Sequence, residues 1–331
     1  MSENASRTHP AMPDWAEQPA VARITDYLTG GSDHFAADRR LAEQLGQVAP
    51  WLPQILMINR LYGQRAVEYM AGTLGIAQFM DLGCGMPYNS SACPSKPLHA
   101  YDAASLVCTP RVVYVDNDPV VRGHANMALA ELTGTAAVGT DVRQVSRLLG
   151  DKAVMSVIDI SRPVAVLCHD LLCWMTDEDA SNLVRNLHDR LPPGSAISVS
   201  HATTDTAPEA MAALARLYAE HGIEFWPRSR DHIRRLLGPW TPVAPGLVTP
   251  AQWPAPPDHW LPGADQSHAY AAVALHRPAG SAPAARSSSR SWVSSVLRRR
   301  RSRREGEAGL VQPFAEPGFV SSATAARWVA R

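Results

Sequence analysis

The chain has 331 residues, 46% of them hydrophobic and 19% charged, with 31 basic and 31 acidic side chains. That is ample material for a core and excludes a disordered or fibrous chain, while the length admits one large or two small domains. Charge is uneven: residues 280–331 carry ten Arg against three Glu, which leaves a mildly acidic body and argues against nucleic-acid binding by the folded part.

Residues 1–18 are polar with scattered Pro and read as a loose arm. A short helix over 21–28 is expected to stop at the Gly30-Gly31 turn. A second helix spans 36–45 and ends before Gly46, Pro50 and Pro53, and a third covers about 54–72 with one apolar stripe. After this helical prelude, apolar runs alternate with helical segments, the pattern of an α/β fold. Strands are predicted at 78–82, 111–116, 136–140, 163–169 and 196–201, with two last ones at 240–248 and 270–276 forming an antiparallel closing hairpin. Helices are expected over 98–108, 177–191, 207–221 and 229–237. Residues 88–97, rich in Ser, Pro and Cys, read as a surface insertion. After 278 the composition shifts to Ser, Ala and Arg, so 279–331 reads as a disordered tail. The domain plan is an arm (1–18), one domain (19–278: prelude 19–75, sheet core 76–278) and the tail.

The chain is organised around Gln78-Phe79-Met80-Asp81-Leu82-Gly83-Cys84-Gly85-Met86-Pro87. A strand leading into two glycines, with a second strand ending in Asp116 about thirty residues on, describes a nucleotide pocket. A dinucleotide fingerprint needs a third glycine where this chain has Tyr88, and a carboxylate at Asp81 would repel a pyrophosphate. S-adenosylmethionine (SAM) instead presents an ammonium and a sulfonium, which suit Asp81 and bare backbone. Gly83 and Gly85 then allow close approach. Asp116, with Asn117 beside it, is placed for the ribose hydroxyls. Asp141 is placed for the adenine amino group, and the Val142 N–H for the ring. One strand-tip Asp is as often a turn residue or a cap; three at successive tips make the stronger case. The reading is a SAM-dependent methyltransferase.

The stretch from Ala22 to Arg39, containing Asp26-Tyr27-Leu28-Thr29-Gly30-Gly31-Ser32-Asp33, resembles the N-terminal signature of a family of bacterial SAM-dependent methyltransferases, long carried as a domain of unknown function and abundant in high-GC Gram-positives. Asn59-Arg60, the 78–87 turn, the run Val112 to Val121, Pro192-Pro193-Gly194-Ser195, Ser200-His201-Ala202-Thr203 and Pro245-Gly246-Leu247-Val248 followed by Trp253 match as well, in order, over about 20–278. The resemblance implies a class I Rossmann-like fold, seven strands with the last antiparallel, and SAM as donor. It supplies no acceptor. Three features depart from the pattern: Leu172-Cys173 stands for a usual Leu-His pair, the turn after Gly85 is longer, and the Arg-rich tail is extra.

Methyl transfer is an in-line displacement at an activated carbon, so alignment supplies much of the rate and a base is optional. His169 and Asp170 at the end of strand 4 are candidates for a base or an acceptor-orienting pair; His201 at the end of strand 5 is a weaker one, with a structural role favoured. In the prelude, Tyr27, Gly30 and Gly31 are expected to fold over SAM, a reading the resemblance supports. The partner implied is a small-molecule acceptor of O- or N-methylation. The alternative is a SAM-binding regulator with little turnover, and an open pocket lined by Trp174, Tyr27 or His201 would favour the enzyme. No metal site is expected: the five cysteines (84, 93, 108, 168, 173) form no C-x-x-C pair, as for free thiols in a reducing cytoplasm. No apolar run approaches the ~18 residues of a membrane span. In the tail, four apolar residues over 292–297 precede Arg298-Arg299-Arg300-Arg301. The pattern could contact an anionic surface, although an unselected extension is the preferred reading.

Overall fold

Runs of β-branched and apolar residues bounded by Gly and Pro become strands here, and the amphipathic segments between them become helices. The computed structural model describes residues 14–87, 99–254 and 267–278. The readings of 1–13, of the 88–97 insertion and of the 279–331 tail lie outside those residues. Four helices come first: α1 (Asp14–Glu17), α2 (Val21–Leu28), α3 (Ala36–Val48) and α4 (Leu52–Gly72). The core follows as β1 (Gln78–Leu82), α5 (Ala100–Ser105), β2 (Arg111–Val115), α6 (Pro119–Leu129), β3 (Thr135–Val138), α7 (Val145–Leu149), α8 (Lys152–Val157) and β4 (Ala165–His169). It continues with α9 (Asp177–Arg190), β5 (Ala196–Ala202), α10 (Pro208–Glu220), α11 (Arg230–Leu236), β6 (Thr241–Pro242) and β7 (Ala269–Leu275).

The strands form one sheet in the order β3-β2-β1-β4-β5-β7-β6. Strands β1 to β5 run parallel to one another, and β7 runs antiparallel to both β5 and β6. This is the seven-stranded Rossmann-like arrangement expected from the alternation. Strand order reverses between β1 and β4, so a crevice opens at their carboxyl ends. Successive side chains point to opposite faces: Met80, Val113 and Val166 join the core under α7, α8, α9 and α11, while Phe79, Val112 and Ala165 join the one under α4 and α5.

Three boundaries differ from expectation. The chain is helical from Asp14, not from 21, because Arg23 donates to the carbonyls of Trp15 (3.1 Å) and Gln18 (2.6 Å) and ties them down. Strand β3 ends at Val138, which leaves Thr140 and Asp141 in the following turn. The segment expected to form a strand over 240–248 pairs regularly only at Thr241–Pro242, with a lone bridge from Val248 to Ala271; Pro242 and Pro245 lack the N–H a continuous ladder needs. Among the described residues no helix is long and apolar enough to cross a membrane.

The prelude is locked by one buried ion pair. Asp38, fully buried, accepts from the N–H groups of Ala20 (2.9 Å) and Phe35 (2.8 Å) and from Arg23 Nε (3.1 Å). Arg23 Nη1 also reaches Asp118 at 3.4 Å, the residue that caps α6. Breaking a buried pair by removing one charge leaves the other uncompensated. Asp38→Asn is therefore expected to cost about 3 kcal/mol in urea denaturation; a loss below about 1 kcal/mol would show that Arg23 is held without it.

Candidate functional site

A cavity of about 440 Å³ lies at the carboxyl ends of β1, β2 and β4, roofed by α2 and α4. Its floor is the turn after β1. Gly83 adopts φ 65°, a left-handed conformation open to glycine, and its N–H and that of Cys84 both bond the Val115 carbonyl, at 2.8 and 3.2 Å. A Cβ on Gly83 would come within 2.7 Å of Leu171 Cδ1. The Gly85 N–H donates to Asp116 Oδ2 (3.0 Å), and the Asp118 N–H to Asp116 Oδ1 (3.0 Å). The tips of β1 and β2 are thereby stapled side by side.

Asp81 and Asp116 both line the cavity. No described residue donates a hydrogen bond to the Asp81 carboxylate. Burial, and then the neighbouring Asp116 charge, push it up to about 7. Burial also raises Asp116, against the N–H bonds that lower it. Each Asp116 oxygen keeps a lone pair for a further donor. Asn117, Asp141 and Val142 line the same cavity. The Asp141 carboxylate is gripped by the Arg143 guanidinium (2.7 Å), which holds it below the usual range, and Arg143 also reaches Asp179 at 3.1 Å. The Val142 N–H has no partner among the described residues.

His169 and Asp170 form the opposite wall. His169 Nε2 lies 2.8 Å from Ser198 Oγ, and burial lowers the ring to about 4, so it is neutral near pH 7. Asp170 receives the Asn59 amide at both oxygens (3.0 and 2.9 Å) and the Ser200 hydroxyl (2.9 Å). Burial raises it nonetheless. Cys173, where the resembled pattern has His, is buried below them with Sγ 3.3 Å from the Asp170 carbonyl.

Four residues expected at the site are not brought to the cavity wall. Tyr27 points its hydroxyl at Glu43 (3.2 Å) and packs edge-on against His34. Gly30 and Gly31 belong to the turn ending α2, where Asp26 accepts from the N–H of Asp33 (2.8 Å) and from His34 (2.9 Å); a Cβ on Gly31 would overlap the Asp26 carboxylate. The signature is thus a folded turn, and α2 meets the cavity through Val21, Ala22 and Thr25. His201 is fully buried behind the wall: Nδ1 donates to the Ala202 carbonyl (2.8 Å) and Nε2 accepts from Arg228 (2.8 Å). Burial lowers it to about 3. Arg228 also binds Asp177 (2.7 Å) and the carbonyls of Leu172 (2.9 Å) and Met175 (2.7 Å), fastening the segment that carries Trp174 into the cavity. Sequence reasoning matched Asn59-Arg60 to the family pattern without giving them a place at the site, and missed Gly63 and Gln64 on α4, and Arg143. A buried Asn inside an apolar helical stripe was the available signal for Asn59; Arg143 gave none.

Comparison with known proteins identifies the family. The sequence profile of the S-adenosyl methyltransferase family matches residues 9–277. The chain belongs to that family. It is a SAM-dependent methyltransferase, and its cofactor is SAM. A Thermobifida fusca protein provisionally assigned as a methyltransferase is 33% identical, with TM-score 0.71 over 79% of this chain and 96% of its own. A duf574 family protein of Streptomyces avermitilis is 30% identical, with TM-score 0.71 over 80% of this chain and 99% of its own. No curated protein matches the chain.

The residues present fit the cofactor: a cationic methionine end needs an anionic group, and Asp81 has no partner among the described residues. The same feature destabilises the protein when SAM is absent. A folded-state value near 7 against about 3.9 unfolded means that the native state binds more protons in that window, so stability falls as pH rises from about 4 to 7. Asp81→Asn without SAM should therefore melt higher than wild type at pH 8 and equal it near pH 4 in calorimetric scans. Equal melting at pH 8 would mean Asp81 carries no desolvation cost.

Proposed function

We propose that this methyltransferase moves the methyl group of SAM to an oxygen or nitrogen of a small molecule bound between α4 and the end of β4. The carrying observation is the desolvated Asp81 carboxylate, without a donor among the described residues, beside Asp116 at the mouth of the glycine turn. In this reading Asp81 receives the ammonium of SAM, and Gly83 and Gly85 give its methionine part access to bare backbone. Asp116 accepts from the ribose hydroxyls, with Asn117 alongside. Asp141 accepts from the adenine amino group, held in place by Arg143, and the Val142 N–H serves the ring.

SAM supplies a methyl carbon already activated by its sulfonium. The chain's part is to hold an acceptor in line with it and exclude water. His169, neutral, and Asp170, engaged by Asn59 and Ser200, form the acceptor wall with Trp174 and Met175. His201 serves as a brace for Arg228 and does not reach the acceptor.

Two measurements test the donor half. Asp116→Ala should stay folded and lose about 100-fold in SAM affinity, since two charge-assisted hydrogen bonds go; unchanged affinity would move the ribose elsewhere. SAM affinity should also weaken as pH falls from 8 to 6, by up to about tenfold per unit, and this dependence should vanish in Asp81→Asn. The acceptor half is tested with methyl-labelled SAM and a bacterial small-molecule extract. Label recovered in a small molecule is expected, while label that only stays bound to the protein would indicate a SAM-binding regulator.

A further inference from the structure

Behind the acceptor wall lies a chain of three groups that the transfer reaction does not use directly. Tyr62, fully buried on α4, has its hydroxyl 2.9 Å from Ser198 Oγ, and Ser198, fully buried on β5, lies 2.8 Å from His169 Nε2. The Tyr62 ring also packs edge-on against His169 and Trp253, with centroids 5.5 and 5.4 Å away. Burial keeps the phenol protonated by raising it well above its ordinary value.

The direction of this chain follows from counting hydrogens. The Tyr62 O–H has one acceptor among the described residues, Ser198 Oγ. With that lone pair taken, the Ser198 O–H has one acceptor left, His169 Nε2. A hydroxyl that is buried without an acceptor costs free energy, so the satisfied direction prevails. Nε2 then accepts, and a neutral imidazole that accepts at one nitrogen carries its proton on the other. Nδ1 has no partner among the described residues. It sits where α4 omits a side chain, since a Cβ on Gly63 would come within 2.9 Å of it. Tyr62 and Gly63 are thus neighbours on one helix, the first at the head of the relay and the second making room at its end.

We infer that the Tyr62–Ser198–His169 relay fixes His169 as the Nδ1–H tautomer, a hydrogen-bond donor to the acceptor molecule. His169 is then a specificity-determining group and no base. The acceptor presents to it an oxygen with a free lone pair, as in a carboxylate, phenolate or carbonyl, and the methylated atom loses its proton elsewhere or arrives without one. The oxygen-binding part of this inference rests on the acceptor pocket proposed above; the tautomer rests on the relay alone.

The test is nitrogen NMR of the full chain labelled at histidine, with the His169 signals identified by their loss in His169→Gln. The expected spectrum at pH 7.5 shows a protonated Nδ1 and an unprotonated Nε2. A protonated Nε2, or an imidazolium, overturns the relay. In Ser198→Ala the bias should be lost and the Nε2–H form appear, and Ser198→Thr should restore it; full Nδ1–H in the alanine variant also overturns the relay. If the variants do not fold, the wild-type spectrum alone decides. With S-adenosylhomocysteine bound, added benzoate should shift the Nδ1–H proton and benzylammonium should not. A response to benzylammonium alone, or to neither, overturns the oxygen-binding part. Calorimetric failure to bind S-adenosylhomocysteine would instead sink the proposed donor site and leave the tautomer result on the free protein standing.

Discussion

Two carboxylates at the tips of neighbouring strands, Asp81 and Asp116, set the terms for this molecule. Each is raised by burial, and the charge of Asp116 raises Asp81 further. Nothing in the described chain neutralises Asp81. The turn that separates them cannot relax to do so, because the N–H groups of Gly83 and Cys84 are committed to the Val115 carbonyl and that of Gly85 to Asp116. Backbone donors are spent on holding the two tips together, so among the described residues nothing offsets the negative charge that the pocket carries once Asp81 ionises, and a cationic ligand would relieve it. Stability is given up where function needs an ionised group, a common trade at binding sites.

The helical prelude answers the same constraint from the other side. Arg23 joins the first three helices through Asp38 and the carbonyls of Trp15 and Gln18, and through Asp118 it touches the loop that follows Asp116. Asn59 on α4 reaches across to both oxygens of Asp170. Gly63, one turn later, lets His169 pack against the helix backbone. The wall over the pocket is therefore fixed by polar bonds at several points, not merely packed on the sheet. Packing alone would leave α4 free to slide, whereas a bidentate amide–carboxylate contact sets its register.

Much of this was legible in the sequence. Alternating apolar runs and amphipathic segments gave the sheet and its closing strands, because strand and helix periods differ and are read locally. The Asp81 turn and Asp116 were legible because a residue at a strand's end must lie at the sheet edge. Side-chain direction beyond the edge was not. Asp141 does line the cavity, but the Arg143 fork on its carboxylate, two residues on, left no trace in the sequence. Tyr27 sat in a conspicuous signature in which Gly31 makes room for the Asp26 carboxylate. His201 looked like His169 in sequence, each being the last or next-to-last residue of a parallel strand. One lines the cavity and the other is sealed behind it, since Arg228 arrives from 27 positions away to bind its Nε2. The places of Asn59 and Gly63 at the site were not legible because a stripe of apolar residues shows which face of a helix is buried, not what lies at its margin.

The central claim is that the pocket between these carboxylates and the prelude takes SAM and not a dinucleotide. Calorimetric titration of the full chain with SAM and, side by side, with NADH at pH 8 tests it most directly. Saturable one-to-one heat with SAM and none with NADH is the expected result. Binding of NADH with no response to SAM would contradict the account, because the Asp81 carboxylate repels a pyrophosphate.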